Sequence, residues 1–236
     1  LRSYPDLDAG YAKRAQELGA DAVFVLDKPI ISQAFIDELD LLNIPCICLD
    51  HHDVEQDFGK KSQHFFMYNP SKNSGKQKST EPVTFLVYSL TQRKEDLWIA
   101  LMGCIADHYL PSFANEFGKQ FPEYWGNVKE PFEAYYGTEL GKIAQALGFG
   151  LKDSITHVVA LQNFLIACRY PSETLSDNPH SWMASESFKT IKGRYDRLVL
   201  ESEKDIGKSL IFFTYGGETS MSANLANYLS YHYSPK

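Results

Sequence analysis

Pro45-Cys46-Ile47-Cys48-Leu49-Asp50-His51-His52 is a short apolar run that ends abruptly in an acid and two imidazoles. A similar run, Ala-Val-Phe-Val-Leu at residues 22–26, ends in Asp27. Nearly continuous apolar runs of this length are typical of strands that are covered on both faces of a parallel sheet. Residues 32–42 between the runs have helical periodicity, with Ser32 as a capping residue. The pattern predicts a strand, a helix and a second parallel strand.

The polar residues follow the carboxyl ends of both predicted strands, which is the edge where open α/β sheets bind ligands. Carboxylates and imidazoles held on rigid elements suit divalent ions such as Mn²⁺, Mg²⁺ or Zn²⁺. A third acid, Asp107, follows residues 95–106, an almost wholly apolar segment that we predict to be a deeply packed helix. These residues therefore form a candidate metal site.

A specific role can be assigned to each of these residues if the site holds two ions that clamp a phosphate and activate water. Asp27 would bridge the ions, while His51 and Asp107 would be further ligands. His52 would donate a hydrogen bond or a proton to the phosphate, and Asp50 would orient a histidine from behind. The alternative is that each acid is an ordinary turn or cap residue and that His51-His52 is a loop without a task.

The composition is that of an ordinary globular protein, with 44% hydrophobic and 22% charged residues in 236. This length allows one large domain or two small ones. No run approaches the roughly 20 apolar residues of a membrane helix. The four cysteines lie in apolar runs, as reduced core residues of a cytoplasmic protein do. The net charge of −7 disfavours binding of nucleic acid by bulk charge alone, although an acidic cleft neutralised by metals remains compatible with phosphate.

Helical patterns dominate the rest of the chain. We expect a helix at 9–18 capped by Asp8, and another from Pro82 to about Leu90 capped by Ser79 or Thr80. A helical hairpin turning through Gly148-Phe149-Gly150 is predicted over 138–168. The remaining predictions are a polar loop at 70–81, a helix at 186–205, a strand at 209–214 and a helix at 221–231.

Three segments resemble motifs of the DHH phosphoesterase superfamily, with its RecJ-type exonucleases. They are Val23–Asp27, Leu49–His52 and Gly103–Asp107, which are similar in order and character to the second, third and fourth motifs. The segment from Phe213 to Ser222 looks most like archaeal RecJ-like proteins, including the nuclease that associates with the replicative GINS complex. The resemblance implies an α/β fold, a parallel sheet flanked by helices, with connecting helices and a partial second α/β domain of the DHHA1 type.

The same resemblance implies three regions and a ligand set. Residues 1–115 would be the DHH domain, 116–195 a helical connector and 196–236 the partial DHHA1-like substrate domain. The complete protein would hold two ions of Mn²⁺ or Mg²⁺. Substrate would be bound by residues of the late glycine–serine segment: Gly216, Gly217, Ser220 and Ser222.

Two departures from the family pattern matter. Asp6-Leu7-Asp8 imitates the first metal-binding motif in its letters, but no apolar strand precedes it. We expect Asp6 and Asp8 to cap a helix and the first motif to lie upstream of residue 1. The family's late glycine–histidine motif is not found, so we expect the substrate groove to be incomplete. Because the ligands of the first motif would be absent, we expect residues 1–236 alone to have weak activity or none.

The sequence favours a metal-dependent exonuclease that acts on single-stranded DNA or RNA or on short oligonucleotides. The alternatives are a non-catalytic scaffold of a replication complex with a GINS-like partner, and a small-molecule phosphoesterase acting on cyclic dinucleotides or pyrophosphate. Cations at Lys72, Lys76, Lys78 and Arg93 would assist nucleic-acid binding, unless they are merely solvated. A stretch of aromatic residues could stack on bases, and the alternative is that these residues form core or domain contacts. They are Tyr124, Trp125, Phe132, Tyr135 and Tyr136.

Overall fold

The computed structural model describes residues 7–55, 62–73, 79–206, 212–217 and 220–233. The chain divides into two compact units, Leu1–Asn115 and Glu116–Lys236. The first limit predicted from the sequence, after residue 115, coincides with this division, whereas the second, after residue 195, falls inside a helix. The assignments of the regions to a DHH domain, a connector and a substrate domain stay predictions.

Unit 1 contains a parallel sheet of three strands: β1 (Val23–Leu26), β2 (Cys46–Leu49) and β3 (Phe65–Tyr68). The order is β1-β2-β3, and the register pairs Leu26 with Leu49 and Leu49 with Tyr68. The two parallel strands predicted from the apolar runs are thereby confirmed. The strand β3 was not predicted, because its four residues follow a polar segment and show no alternation of polar and apolar side chains.

Two helices cover one face of this sheet, α1 (Ala9–Glu17) and α2 (Gln33–Leu42). Both begin as predicted, since the Asp8 side chain accepts from the Gly10 N–H and the Ser32 side chain accepts from the Phe35 N–H. The core between helices and sheet is apolar and well buried: Ala12, Val25, Ile31, Phe35, Ile36, Leu39, Ile44, Cys46 and Cys48.

The other face of the sheet is partly open. Phe24 on β1 is 65% exposed and Phe66 on β3 is 57% exposed, and Leu26 and Tyr68 are about half exposed. The expectation that the apolar runs are covered on both faces is therefore wrong for β1 within the residues described. The helices that the sequence places before β1 and between β1 and β2 both pack on the Val25–Cys48 side. An apolar run identifies the strand but does not say which of its faces is covered.

Three further helices follow β3: α3 (Pro70–Asn73), α4 (Val83–Thr91) and α5 (Leu97–Ala106). The predicted caps of α4 are wrong, because Pro82 occupies the N-cap position and no side chain caps the helix. Seven of the ten residues of α5 are buried, as its apolar character predicts. Gly103 allows α4 and α5 to approach closely, since a Cβ there would lie 2.6 Å from side-chain atoms of Thr84.

The helix α6 (Ala114–Gln120) crosses the limit between the units, and unit 2 continues with α7 (Pro131–Gly137), α8 (Glu139–Gly150) and α9 (Ile155–Ala167). The predicted hairpin forms, but it turns at 151–154 and not through Gly148-Phe149-Gly150, which belong to α8. Gly150 serves close packing, because a Cβ there would lie 2.4 Å from Leu161 of α9. A glycine that looks like a turn signal is here a contact point between helices.

The last helices are α10 (Glu186–Ser202) and α11 (Ser222–Tyr233), close to the predicted ranges. The predicted strand at 209–214 is not found where it can be checked, since residues 212–214 are irregular and 209–211 lie outside the described residues. The described part of unit 2 is helical without a strand, so the expected α/β character of residues 196–236 is not observed there. No described helix has both the length and the apolarity to cross a membrane.

All four cysteine thiols are buried, and burial raises the pKa of Cys46 and Cys168 to about 11 and of Cys48 and Cys104 to about 12. We predict that Ellman's reagent labels none of them in the native protein at pH 8, over the time in which all four react in guanidinium chloride. Buried thiols are protonated and sterically shielded, and the thiolate is the reactive form. Rapid labelling of Cys46 or Cys48 in the native protein would contradict the packing of β2.

Candidate metal centre

Asp27 directly follows β1 and has an unusual backbone conformation. Its φ is 57°, in the left-handed region, which few residues other than glycine adopt and which aspartate tolerates better than most. Its N–H donates to the Leu49 carbonyl at 2.9 Å, which extends the pairing of β1 with β2 by one residue. Non-glycine residues held in this region cluster at functional sites. The carboxylate itself is about half exposed.

Asp50 directly follows β2 and is 2% exposed. Its Oδ1 accepts from the His52 N–H at 2.9 Å, and its Oδ2 lies 3.0 Å from the His52 Nδ1. The carboxylate therefore holds both the backbone and the ring of His52. These contacts are those expected of a residue that orients a histidine, which is the role that the sequence analysis gave to Asp50.

The strand register brings Asp27 to the two histidines. Because Leu26 pairs with Leu49, the residues that follow β1 and β2 meet at the same edge of the sheet. The His51 Nε2 lies 3.4 Å from the Asp27 Oδ1, and the His52 Nδ1 lies 3.9 Å from the same oxygen. One potential donor atom from each of Asp27, His51 and His52 lies within 4.8 Å of the other two.

Asp107 is the C-cap residue of α5, as predicted, and it acts electrostatically on the same group. Burial of its carboxylate raises its pKa above the usual range, and the nearby charge of Asp27 raises it further, while His51 and His52 act in the opposite direction. Asp107 is exposed as a residue, but neighbouring protein atoms displace part of the water that would hydrate its carboxylate. Asp107 thus lies within electrostatic reach of the three donors without belonging to the group within 4.8 Å.

The donor chemistry fits a divalent ion. Ligand atoms on one tetrahedral ion lie roughly 3 to 4 Å apart, given bonds of about 2.0 to 2.2 Å. The distance of 3.4 Å between His51 and Asp27 is already in this range. Two imidazoles and a carboxylate suit Mn²⁺ or Zn²⁺ better than Mg²⁺, which prefers oxygen ligands.

The residues predicted to bind substrate lie in unit 2 and contact their own neighbours. Ser222 begins α11, and its Oγ lies 2.8 Å from the Tyr215 hydroxyl. The Ser220 carbonyl accepts from the Lys152 Nζ at 2.9 Å. Gly217 has a φ of 151°, a conformation that glycine adopts freely. Their role in substrate binding, together with that of Gly216, stays a prediction.

Two of the four cations expected to attract nucleic acid are described, and both contact other groups of the chain. The Lys72 Nζ donates to the Val54 carbonyl, and Arg93 pairs with Glu95 and Asp96. Lys76 and Lys78, like Asp6, lie outside the described residues. The aromatic stretch is mostly core, because Tyr124, Trp125 and Tyr135 are buried and the rings of Phe132 and Tyr136 stack on Tyr231.

Sequence reasoning missed one residue of this site, Asn69. It follows β3, is 3% exposed, and its Nδ2 donates to the His52 carbonyl at 2.9 Å. Asn69 could be recognised only together with β3, since its importance comes from the strand that positions it. The sequence signal that could have identified Asn69 is the Asn-Pro pair that directly follows the aromatic run Phe65–Tyr68.

Comparison with protein-family models, curated proteins and solved structures gives no match for this chain. The resemblance to the DHH superfamily therefore rests on the three motif segments of the sequence and stays a prediction.

We predict that the protein binds Mn²⁺ and that Asp27→Asn lowers the affinity by roughly tenfold or more, because the charged donor next to His51 is lost. Isothermal titration calorimetry measures the effect, and His51→Ala is expected to act similarly. Asp21→Asn and His180→Ala change exposed residues outside the group and serve as matched controls. Equal affinity in the Asp27 variant and its control would show that the group is not a metal site.

We predict that Asp107→Asn stabilises the metal-free protein at pH 7. The raised pKa of Asp107 means that the protein loses stability as the pH rises from the ordinary pKa of aspartate to the higher pKa of the folded state, and the full cost is present above the latter. The gain from the variant should shrink as the pH falls through that value towards the ordinary range of aspartate, where both states bind the proton. Thermal unfolding in EDTA between pH 7 and pH 4 tests this, with Asp21→Asn as the control. A gain that is absent at pH 7 or grows towards pH 4 would contradict it.

Proposed function

We propose that this protein hydrolyses phosphodiester bonds with a divalent metal ion, as a RecJ-like exonuclease on single-stranded DNA or RNA. The observation that carries the proposal is the convergence of Asp27, His51 and His52 at the carboxyl edge of the sheet, with Asp50 holding His52. The motif segments supply the reaction class, since the same residue types in the same order characterise the DHH phosphoesterases.

Mn²⁺, which suits this donor set better than Mg²⁺, would supply when bound a Lewis acid that polarises a phosphoryl oxygen and activates water. The residues of the chain contribute binding and orientation. Asp27 provides negative charge and one imidazole nitrogen comes from His51, 3.4 Å away. The contact between Asp50 and the Nδ1 of His52 fixes the ring and leaves its Nε2 for the ion or for the substrate. In its protonated form, His52 would carry at Nε2 a proton that can be donated to a phosphate oxygen.

The scaffold alternative accounts less well for the site. A protein that only connects partners needs neither a half-exposed carboxylate beside two imidazoles nor a buried acid that orients one of them. Such an arrangement costs stability, which is a usual feature of sites that bind or react. Hydrolysis of pyrophosphate or of cyclic dinucleotides uses the same chemistry, so the choice of substrate is decided by experiment.

End-labelled single-stranded DNA and RNA incubated with the protein and Mn²⁺ test the proposal. We predict slow shortening from one end, in keeping with the weak activity expected of residues 1–236, and a loss of rate on the order of 10²-fold or more in Asp27→Asn. The readout is the ratio between the cleavage rates of the native protein and the variant. Asp21→Asn should cleave at the native rate.

Three other outcomes would contradict the proposal in different ways. Hydrolysis of pyrophosphate or dinucleotides without cleavage of longer strands would make the protein a small-molecule phosphoesterase. Absence of Mn²⁺ binding at millimolar concentration would favour the scaffold. Binding of Mn²⁺ without hydrolysis of any phosphodiester would show that the metal site has a function other than phosphodiester hydrolysis.

A further inference from the structure

We infer that Asn69 is a positioning residue of the metal centre, acting through Asp50 and His52; this inference rests on the proposed function. Asn69 is one of few polar residues that are buried in unit 1 among those described, and it directly follows β3. The register pairs Leu49 with Tyr68, so Asn69 lies beside Asp50 at the same edge of the sheet. Each of the three strands thus delivers one polar residue to this edge.

The contacts of Asn69 fix the orientation of its amide. Its Oδ1 accepts from the Ser71 N–H at 2.9 Å and from the Ser71 hydroxyl at 2.7 Å. A backbone N–H can only donate, so the oxygen of the amide must face Ser71 and its NH₂ group must face the other way. The Nδ2 then donates to the His52 carbonyl at 2.9 Å and lies 3.4 Å from the Asp50 Oδ1. Ser71 therefore aims the donor side of Asn69 at the metal centre.

This arrangement holds the segment 50–52 at both ends. Asn69 contacts the carboxylate of Asp50, where the segment leaves β2, and the carbonyl of His52, where it continues. The buried Asp50 carboxylate, in turn, holds the N–H and the ring of His52. Polar groups that hold a metal ligand in place, as Asp50 holds His52, typically affect the metal affinity about 10- to 100-fold. Asn69 stands one step further away, which places its effect near the lower end of that range.

The test measures Mn²⁺ affinity by titration calorimetry in two backgrounds. Asn69→Ala should lower the affinity about tenfold in the native background and less than twofold when His52→Ala is also present, since the ring that Asn69 positions is then gone. Any loss of thermal stability should be the same in both backgrounds. A purely structural role would lower the affinity equally in both, and that result, or an unchanged affinity, would overturn the inference.

Asn178 offers a matched control. Its Nδ2 donates to the Glu173 carbonyl at 2.8 Å and its Oδ1 accepts from the His180 N–H at 3.0 Å, so it bridges two backbone groups as Asn69 does. Asn178→Ala should leave the Mn²⁺ affinity unchanged. If Asn69→Ala does not fold, as judged by circular dichroism, Asn69→Ser replaces it, because the shorter side chain also lacks the amide that contacts Asp50 and His52.

A second readout needs no metal. Asn69→Ala should shift the ring ¹⁵N resonances of His52, assigned through His52→Gln, and leave those of His157 and His180 in place. Unchanged His52 resonances would overturn the positioning role. If the native protein binds no Mn²⁺, the proposed function is wrong, and this comparison alone decides whether Asn69 positions His52.

Discussion

The register of the three parallel strands is the constraint on which the candidate site depends. Leu26, Leu49 and Tyr68 lie side by side across the sheet, so Asp27, Asp50 and Asn69 follow at the same level. A slip of one residue would turn every side chain of a strand to the opposite face. The core formed by Val25, Cys46 and Cys48 with α1 and α2 excludes that slip, because it would bring Phe24 and Ile47 against the helices in their place. Packing on one face of the sheet thus sets the geometry at its edge.

Several unfavourable features collect at that edge. Asp27 has a left-handed backbone, the Asp50 carboxylate is buried, and the pKa of Asp107 is raised by burial and by the charge of Asp27. Each of these costs folding free energy, and local conflicts of this kind are expected where a site must bind or react. The hydrogen bonds from His52 and Asn69 offset the burial of Asp50. A bound cation would reduce the repulsion between Asp27 and Asp107, which links stability to occupancy of the site.

Unit 2 shows how residues that suggest chemistry can serve packing. The aromatic stretch that could have stacked bases lies mostly in the helical core, and Gly150 allows α8 to pack against α9. Aromatic rings bury large apolar areas, so in a helical unit they are more useful inside than on the surface. The candidate metal centre therefore belongs to the described residues of unit 1.

Local sequence patterns were sufficient to predict the strands β1 and β2, the capped helices α1 and α2 and the buried helix α5. They also singled out the three ligand-type residues Asp27, His51 and His52. Apolar runs, capping residues and helical periodicity act over a few neighbours, so they can be recognised in the chain alone. The third strand, the uncovered sheet face, the role of Gly150 and the support that Asn69 gives to Asp50 came only from the folded chain. Each of these features arises from contacts between segments that are distant in sequence. Burial and hydrogen bonding between such segments produce no local sequence pattern from which they could be predicted.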